Sequence, residues 1–164
     1  MAESTSKNSG TVAPVPIVLT IALSTFLLGG FVLGGVINFF IPFPIWPSVW
    51  TRVVGFVPLA VGTGLLVTTR DAFTRHRTST RPWEPSVALV QDGPYRFSRN
   101  PIYLSIAAIF LGVSLIDNSV LLLVVLAIDL ILVDRIQIPR EERHLQERFG
   151  DAYSQYKERV RRWI

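Results

Sequence analysis

The stretch Gly93-Pro94-Tyr95-Arg96-Phe97-Ser98-Arg99-Asn100-Pro101-Ile102-Tyr103 sets two arginines, two tyrosines and two prolines at the doorstep of an apolar run. A second polar block follows the next apolar run: Glu141-Glu142, then Phe149-Gly150, Tyr153, Tyr156 and Val160. Ionisable and aromatic groups gathered at both ends of one apolar hairpin imply that the ends meet over something polar. A charged small molecule held at a membrane surface fits that description.

Taken singly, the candidate residues carry competing readings. Asp129 lies near the middle of an apolar run, where a carboxylate is expensive and is a functional candidate by default; a satisfied pair inside a helix bundle is the plainer account. Asp134 and Arg135 fall near the end of that run, so Arg135 either faces a substrate carboxylate or anchors the run at the headgroups. Glu141 and Glu142 open the last helical segment, where carboxylates favour the helix dipole. Neighbours on a helix point about 100° apart, so only one of the two is expected to face a ligand. Tyr153, Tyr156 and Val160 share one helical face, which reads more readily as a stripe docked on the membrane than as a cofactor box. Gly150 interrupts the segment, and Asp151 is placed to cap the turn after it. His76 and His144 have no partner at a metal-ligand spacing, so no metal site is expected. No nucleophile elbow, phosphate loop or dinucleotide fingerprint is present.

The elements that must position these residues are apolar helices. The chain has 164 residues, 49% hydrophobic and 17% charged, and a mean hydropathy of +0.41. A soluble domain carries about a quarter charged residues, so an all-α polytopic membrane protein of about four spans is predicted. Residues 1–16 read as a disordered tail. Two N-terminal spans fill 17–70, roughly Ile17 to Ile41 and Val49 to Thr69, with Pro58 a predicted kink. Glycines 29, 30, 34 and 35 suggest a helix-packing face on the first. Trp46 and Trp50 between the spans fit an interface anchor. Residues 71–164 form the core: a polar loop, a short hairpin (Pro101 to Ile116, Val120 to about Ile138) turning at Asp117-Asn118-Ser119, and a C-terminal cytoplasmic helix. The net charge of +4 comes from arginines flanking the apolar runs. That is the positive-inside pattern and not a nucleic-acid patch, and it puts both termini and both polar blocks in the cytoplasm. Cysteine is absent, which excludes disulfides and thiol chemistry.

Together, GPYRFSRNPIY and EERHLQERFGDAYSQYKERVRRWI resemble the isoprenylcysteine carboxyl methyltransferase family, which belongs with the phospholipid N-methyltransferases. The resemblance covers about residues 80–164 and departs at Asn100, where that family usually has histidine. Asparagine keeps a donor and an acceptor but cannot relay a proton at neutral pH. The resemblance implies S-adenosylmethionine bound on the cytoplasmic side under the C-terminal segment. Val87, Ala88, Leu89, Val90, Tyr95, Asn100, Pro101, Ile102 and Tyr103 would line it, and Glu141 would accept its polar groups. Arg135 is the candidate partner for the acceptor's carboxylate, with Gln137 nearer the strict alignment.

The reaction so implied is methyl transfer to a lipidic or small hydrophobic acceptor that enters from the bilayer, an isoprenylcysteine-like carboxylate first. A phospholipid amine is the alternative, and it would need a base such as Glu142, Glu141 or Asp129. A non-catalytic scaffold retaining the fold is the third reading. Prokaryotic inner membrane is the expected location, and the oligomeric state is left open.

Overall fold

The computed structural model describes residues 17–46, 49–75 and 89–164. It is all-helical, with no strand among the described residues. Helix α1 spans Ile17–Phe40 and α2 spans Val49–Arg75; after a 3₁₀ turn at Gly93–Arg96 come α3, Pro101–Ile116, and α4, Val120–Leu132. A π-helical turn, Val133–Gln137, joins α4 to α5, Ile138–Phe149, and α6, Asp151–Arg159, closes the chain. The expected tail at 1–16 and the loop residues 76–88, Val87 and Ala88 among them, lie outside the described residues.

Two boundaries differ from the hydropathy reading, for one reason: helical hydrogen bonding does not stop where apolarity does. Helix α2 continues past Thr69 to Arg75. Its threonine hydroxyls bond back into the helix, Thr69 to Leu65 O at 2.7 Å and Thr74 to Arg70 O at 3.1 Å. The second hairpin arm likewise does not end near Ile138 but runs through the π turn into α5. The turn at 117–119 forms as expected, with Asn118 at φ 52° and Ser119 capping α4 by accepting from Leu122 N.

Among the described residues one helix, Val49–Ala72, is long and apolar enough to cross a bilayer; Leu27–Phe40 and Pro101–Ile116 are shorter apolar helices. The distribution of side chains is inside-out. Ser105, Ser114, Ser119 and Thr69 are fully buried, while Val32, Leu33, Phe56, Val57, Val61 and Ile131 are exposed. Water would not tolerate so wide an apolar surface, and small or hydroxyl residues at helix contacts are what close packing in lipid selects.

The tightest contact is α2 against α3. A Cβ on Gly62 would stand 2.7 Å from Ser105 O and 2.8 Å from Ile109 N; one on Gly112 would stand 2.6 Å from Leu59 N. The backbones touch there, so only glycine fits. The buried serines of α3 bond within their own helix, Ser105 to Ile102 O and Ser114 to Phe110 O, and leave α2 room to approach. Of the α1 glycines, Gly34 lies on Leu122 of α4, whereas Gly29 and Gly35 face open space. At the far end, Asn118 ties the two hairpins together. Its side chain accepts from Ile45 N and Trp46 N and donates to Trp46 O, while Val120 N donates to Phe43 O.

Candidate functional site

The two polar blocks close on each other at the end of the bundle where α2 finishes and α3 begins. Gly93, at φ +57°, permits the tight 3₁₀ turn that buries Tyr95 against Ala72 and Val90. Pro101 sits in the first turn of α3, where its missing N–H costs nothing, with Asn100 before it. Across the gap, the backbone N of Arg99 donates to Arg161 O at 3.0 Å. Ser98 Oγ and Asn100 Nδ2 both donate to Arg162 O, at 3.2 and 3.1 Å. Tyr156 donates its hydroxyl to Tyr95 O at 2.8 Å. Residues 95–100 and 156–162 are therefore one polar assembly built from sequence segments some sixty residues apart.

At its centre is Glu141. Tyr103 of α3 donates to its Oε1 at 2.5 Å, and Gln137 of the π turn donates to the same oxygen at 2.8 Å. Burial raises the proton affinity of this carboxylate, and the two donated hydrogen bonds oppose that rise. Glu142, one residue on, is turned toward the chain's last residues. It pairs with Arg99 at 3.2 Å and with Arg162 at 2.8 Å, and a second Arg162 nitrogen reaches it at 3.3 Å. Arg162 also meets Asp134 at 3.2 Å, and Trp163 donates its indole N–H to Asp134 at 3.0 Å. The bond to Glu142 holds the Arg162 proton more tightly than usual. The two glutamates thus point to different faces, as neighbours on a helix must, and both are engaged. Glu141 is held by neutral donors and Glu142 by two cations.

Several expected roles shift. Tyr153, Tyr156 and Val160 do share a face, but it is buried on the protein itself, against Leu89, Leu145 and Phe149, and not on the membrane. Burial, then the charge of Glu142, pushes the Tyr153 hydroxyl up to about 12, so it stays a neutral phenol at physiological pH. Gly150, not Asp151, stands at the N-cap of α6, with Asp151 in its first turn; Gln146 reaches Gly150 O at 2.9 Å and Ser154 at 3.0 Å and fastens the α5–α6 corner. Arg135 is not brought into the assembly. Its side chain is 81% exposed and its ion pair among the described residues is with the neighbouring Asp134, at 3.6 Å. Gln137, buried, holds the place beside Glu141. The π turn explains the exchange, because its wider winding changes which residues of the arm face inward. Asp129 is buried in α4, with Oδ2 unpartnered among the described residues.

Of the expected lining, Leu89 and Val90 pack under α6 and Tyr95 respectively, Pro101 is fully buried, and Ile102 and Tyr103 are half-buried in the first turn of α3. Two buried guanidinium nitrogens, Arg99 Nε and Arg140 Nη1, have no hydrogen-bond partner among the described residues. No group of three or more His, Cys, Asp or Glu side chains there could hold a metal ion.

An assembly of this kind, a protected carboxylate with unfilled cationic donors beside it at one end of an apolar helix bundle, suits a polar ligand with both basic and acidic groups. The comparisons bear on its chemistry. The chain is 42% identical over 64 residues, 38% of its length, to an uncharacterized protein of Haemophilus influenzae, all of which is covered. No solved structure matches. The profile of the phospholipid methyltransferase family matches residues 50–152, from the start of α2 to the start of α6 and so across both polar blocks. That match takes in more than half of the chain, which therefore belongs to the phospholipid methyltransferase family of membrane proteins.

Proposed function

We propose that this protein transfers a methyl group from S-adenosylmethionine to a lipidic acceptor. The observation that carries the reading is the closure of the two polar blocks around Glu141. The residues present fit the cofactor. Glu141 can accept from its ribose hydroxyls or ammonium, the open N–H groups on Arg99 and Arg140 can meet its carboxylate, and Tyr95 and Tyr103 supply aromatic walls. When bound, the cofactor supplies an electrophilic methyl on a sulfonium, whose charge is lost as the methyl moves. A low-polarity site does not oppose such a step. What the chain contributes is position, which can be worth about 7–11 kcal/mol in favourable cases. Tyr103 and Gln137 orient Glu141, while Glu142 is tied to the C-terminal segment by Arg162 and to the residues before α3 by Arg99.

The acceptor enters from the bilayer between apolar helices. A carboxylate acceptor needs no base; its candidate partner, Arg135, would meet it at the outer edge of the site. An amine acceptor must first lose a proton, and the raised proton affinity of Glu141 favours this second reading. Four spans with both termini and the site on the cytoplasmic face of a prokaryotic inner membrane complete the picture, supported by the arginine-rich segments 70–99 and 135–162. Isothermal titration of the detergent-solubilised protein with S-adenosylmethionine and its demethylated product tests the cofactor. Saturable binding is expected, and absence of binding to both would leave the scaffold reading. Labelled-donor product analysis with a prenylated thiol acid against phosphatidylethanolamine then decides between acceptors.

A further inference from the structure

Beside the assembly around Glu141, on its outer side, a cleft of about 220 Å³ lies between the Gly93–Arg96 turn and α6. It is lined by Gln91, Arg96, Tyr156, Arg159 and Val160. We propose that this cleft seats a phosphate oxyanion, with Arg96 and Arg159 as its cationic jaws.

The case rests on how differently the arginines of this region are employed. Arg99 and Arg162, on the inner side, are each paired with carboxylates. Among the described residues, Arg96 and Arg159 have no carboxylate within ion-pair distance and no acidic side chain lines the cleft. Arg159 is held in place by neutral groups: one nitrogen donates to Gln91 Oε1 at 3.0 Å and another to Gln155 O at 3.3 Å. Arg96 has no side-chain bond there at all and is exposed. Tyr156, its hydroxyl committed to Tyr95 O, gives the cleft a fixed wall. Two guanidiniums line one cleft with no counter-charge among the described residues, and an oxyanion there would accept their forked N–H groups. The space suffices for a phosphate group with part of its water shell.

The position gives the seat a use. The Gly93–Arg96 turn lies where α2 ends and α3 begins, and the next residue, Phe97, is 76% exposed. An exposed aromatic next to unpaired arginines at the end of an apolar bundle is suited to the headgroup layer, where lipid phosphates are concentrated. The seat does not require the methyl-transfer reading, since neither Arg96 nor Arg159 is bonded to Glu141, to Glu142 or to the side chains that hold them.

The test uses the full chain in uncharged detergent, titrated calorimetrically with inorganic phosphate and with dihexanoyl-phosphatidylglycerol, in chloride buffer of fixed ionic strength. Saturable binding is expected, and the Arg96→Gln/Arg159→Gln variant should bind at least about tenfold more weakly, the loss of two charge-assisted contacts. Arg96→Lys/Arg159→Lys should recover part of the affinity. Binding of both probes, or of the lipid alone, identifies a lipid phosphate as occupant. Binding of inorganic phosphate alone identifies a soluble anion and retains the seat. No binding of either probe, or unchanged affinity in the folded glutamine variant, overturns it. Should the double variant not fold, Arg96→Gln alone carries the comparison, because that side chain bonds to no described residue. S-adenosylmethionine titrated into the same variant should bind as in the parent, which separates failure of the seat from failure of the cofactor site.

Discussion

The two helix seams of the bundle are built on different terms. Between α2 and α3 the backbones touch at Gly55, Gly62 and Gly112, and no side chain can be added without moving a helix. Between α1 and α4 the contact is made by side chains, Gly34 lying on Leu122 and Val125, with Gly29 and Gly35 facing nothing. Phe31 of α1 stacks on Phe110 of α3 with ring centroids 4.0 Å apart, so α1 leans on the rigid pair through an aromatic contact. The difference teaches where precision is needed. The first polar block sits on the close seam: α3 starts at Pro101, two residues before Tyr103, and α2 ends under Tyr95. The second block rides on the arm that continues α4. Such a molecule can hold Tyr95 and Tyr103 still while the other arm adjusts.

The most severe way to break this contrast is Gly62→Leu, which drives a branched side chain into Ser105 O and Ile109 N. Folded protein should be lost from detergent extracts, and even Gly62→Ala should lower unfolding stability by about 1–3 kcal/mol. Next in size are the bonds that join the two arms. Glu141→Ala should weaken S-adenosylmethionine binding by about 1–3 kcal/mol, measured by calorimetry, and unchanged affinity would count against Glu141 as a ligand residue. Tyr103→Phe, which removes only the donor, should cost about 0.5–1.5 kcal/mol.

A smaller effect concerns pH. Burial raises the pKa of Glu141, so the folded state holds its proton to higher pH than the unfolded chain does. The stabilisation this gives is present in acid and is lost as pH rises through the folded value. Glu141→Gln should therefore flatten the decline of thermal stability from acid to neutral pH, and an unaltered profile would mean the carboxylate is ionised throughout. Least of all should change with Gly35→Ala, where the new methyl meets open space; stability should hold or rise by at most about 1 kcal/mol. A loss there as large as at Gly62 would erase the distinction between the seams.

The helices and the meeting of the two blocks were legible because apolar runs and motif spacing are local signals. The touching glycines of α2 and α3 were not, because Gly55, Gly62 and Gly112 lie on two runs whose register only the fold sets; the doubled glycines of α1, far more conspicuous in sequence, are half idle. At the site, Glu141, Tyr103 and Asn100 were nameable from their motifs. Arg162 and Trp163 were not, since an arginine-rich end reads as topology and nothing in Trp163 points to Asp134 twenty-nine residues earlier. Gln137 bonds Glu141 while Arg135 points outward, a difference of direction that the π turn sets and the sequence does not display. Asn100 proves to be a fastener: its amide holds Arg162 O, a bond a histidine N–H could also make, so Asn100→His is expected to keep the C-terminal segment in place.

The fastening around Asn118 constrains motion of the whole molecule. Ile45, Trp46 and Phe43 are bonded to the 118–120 corner at the end remote from Glu141. Helices clipped at one extremity can part only by splaying at the other, as the legs of a compass do. Any gap that opens between the two hairpins is therefore widest on the side of Tyr103 and Glu141 and vanishes toward the clip.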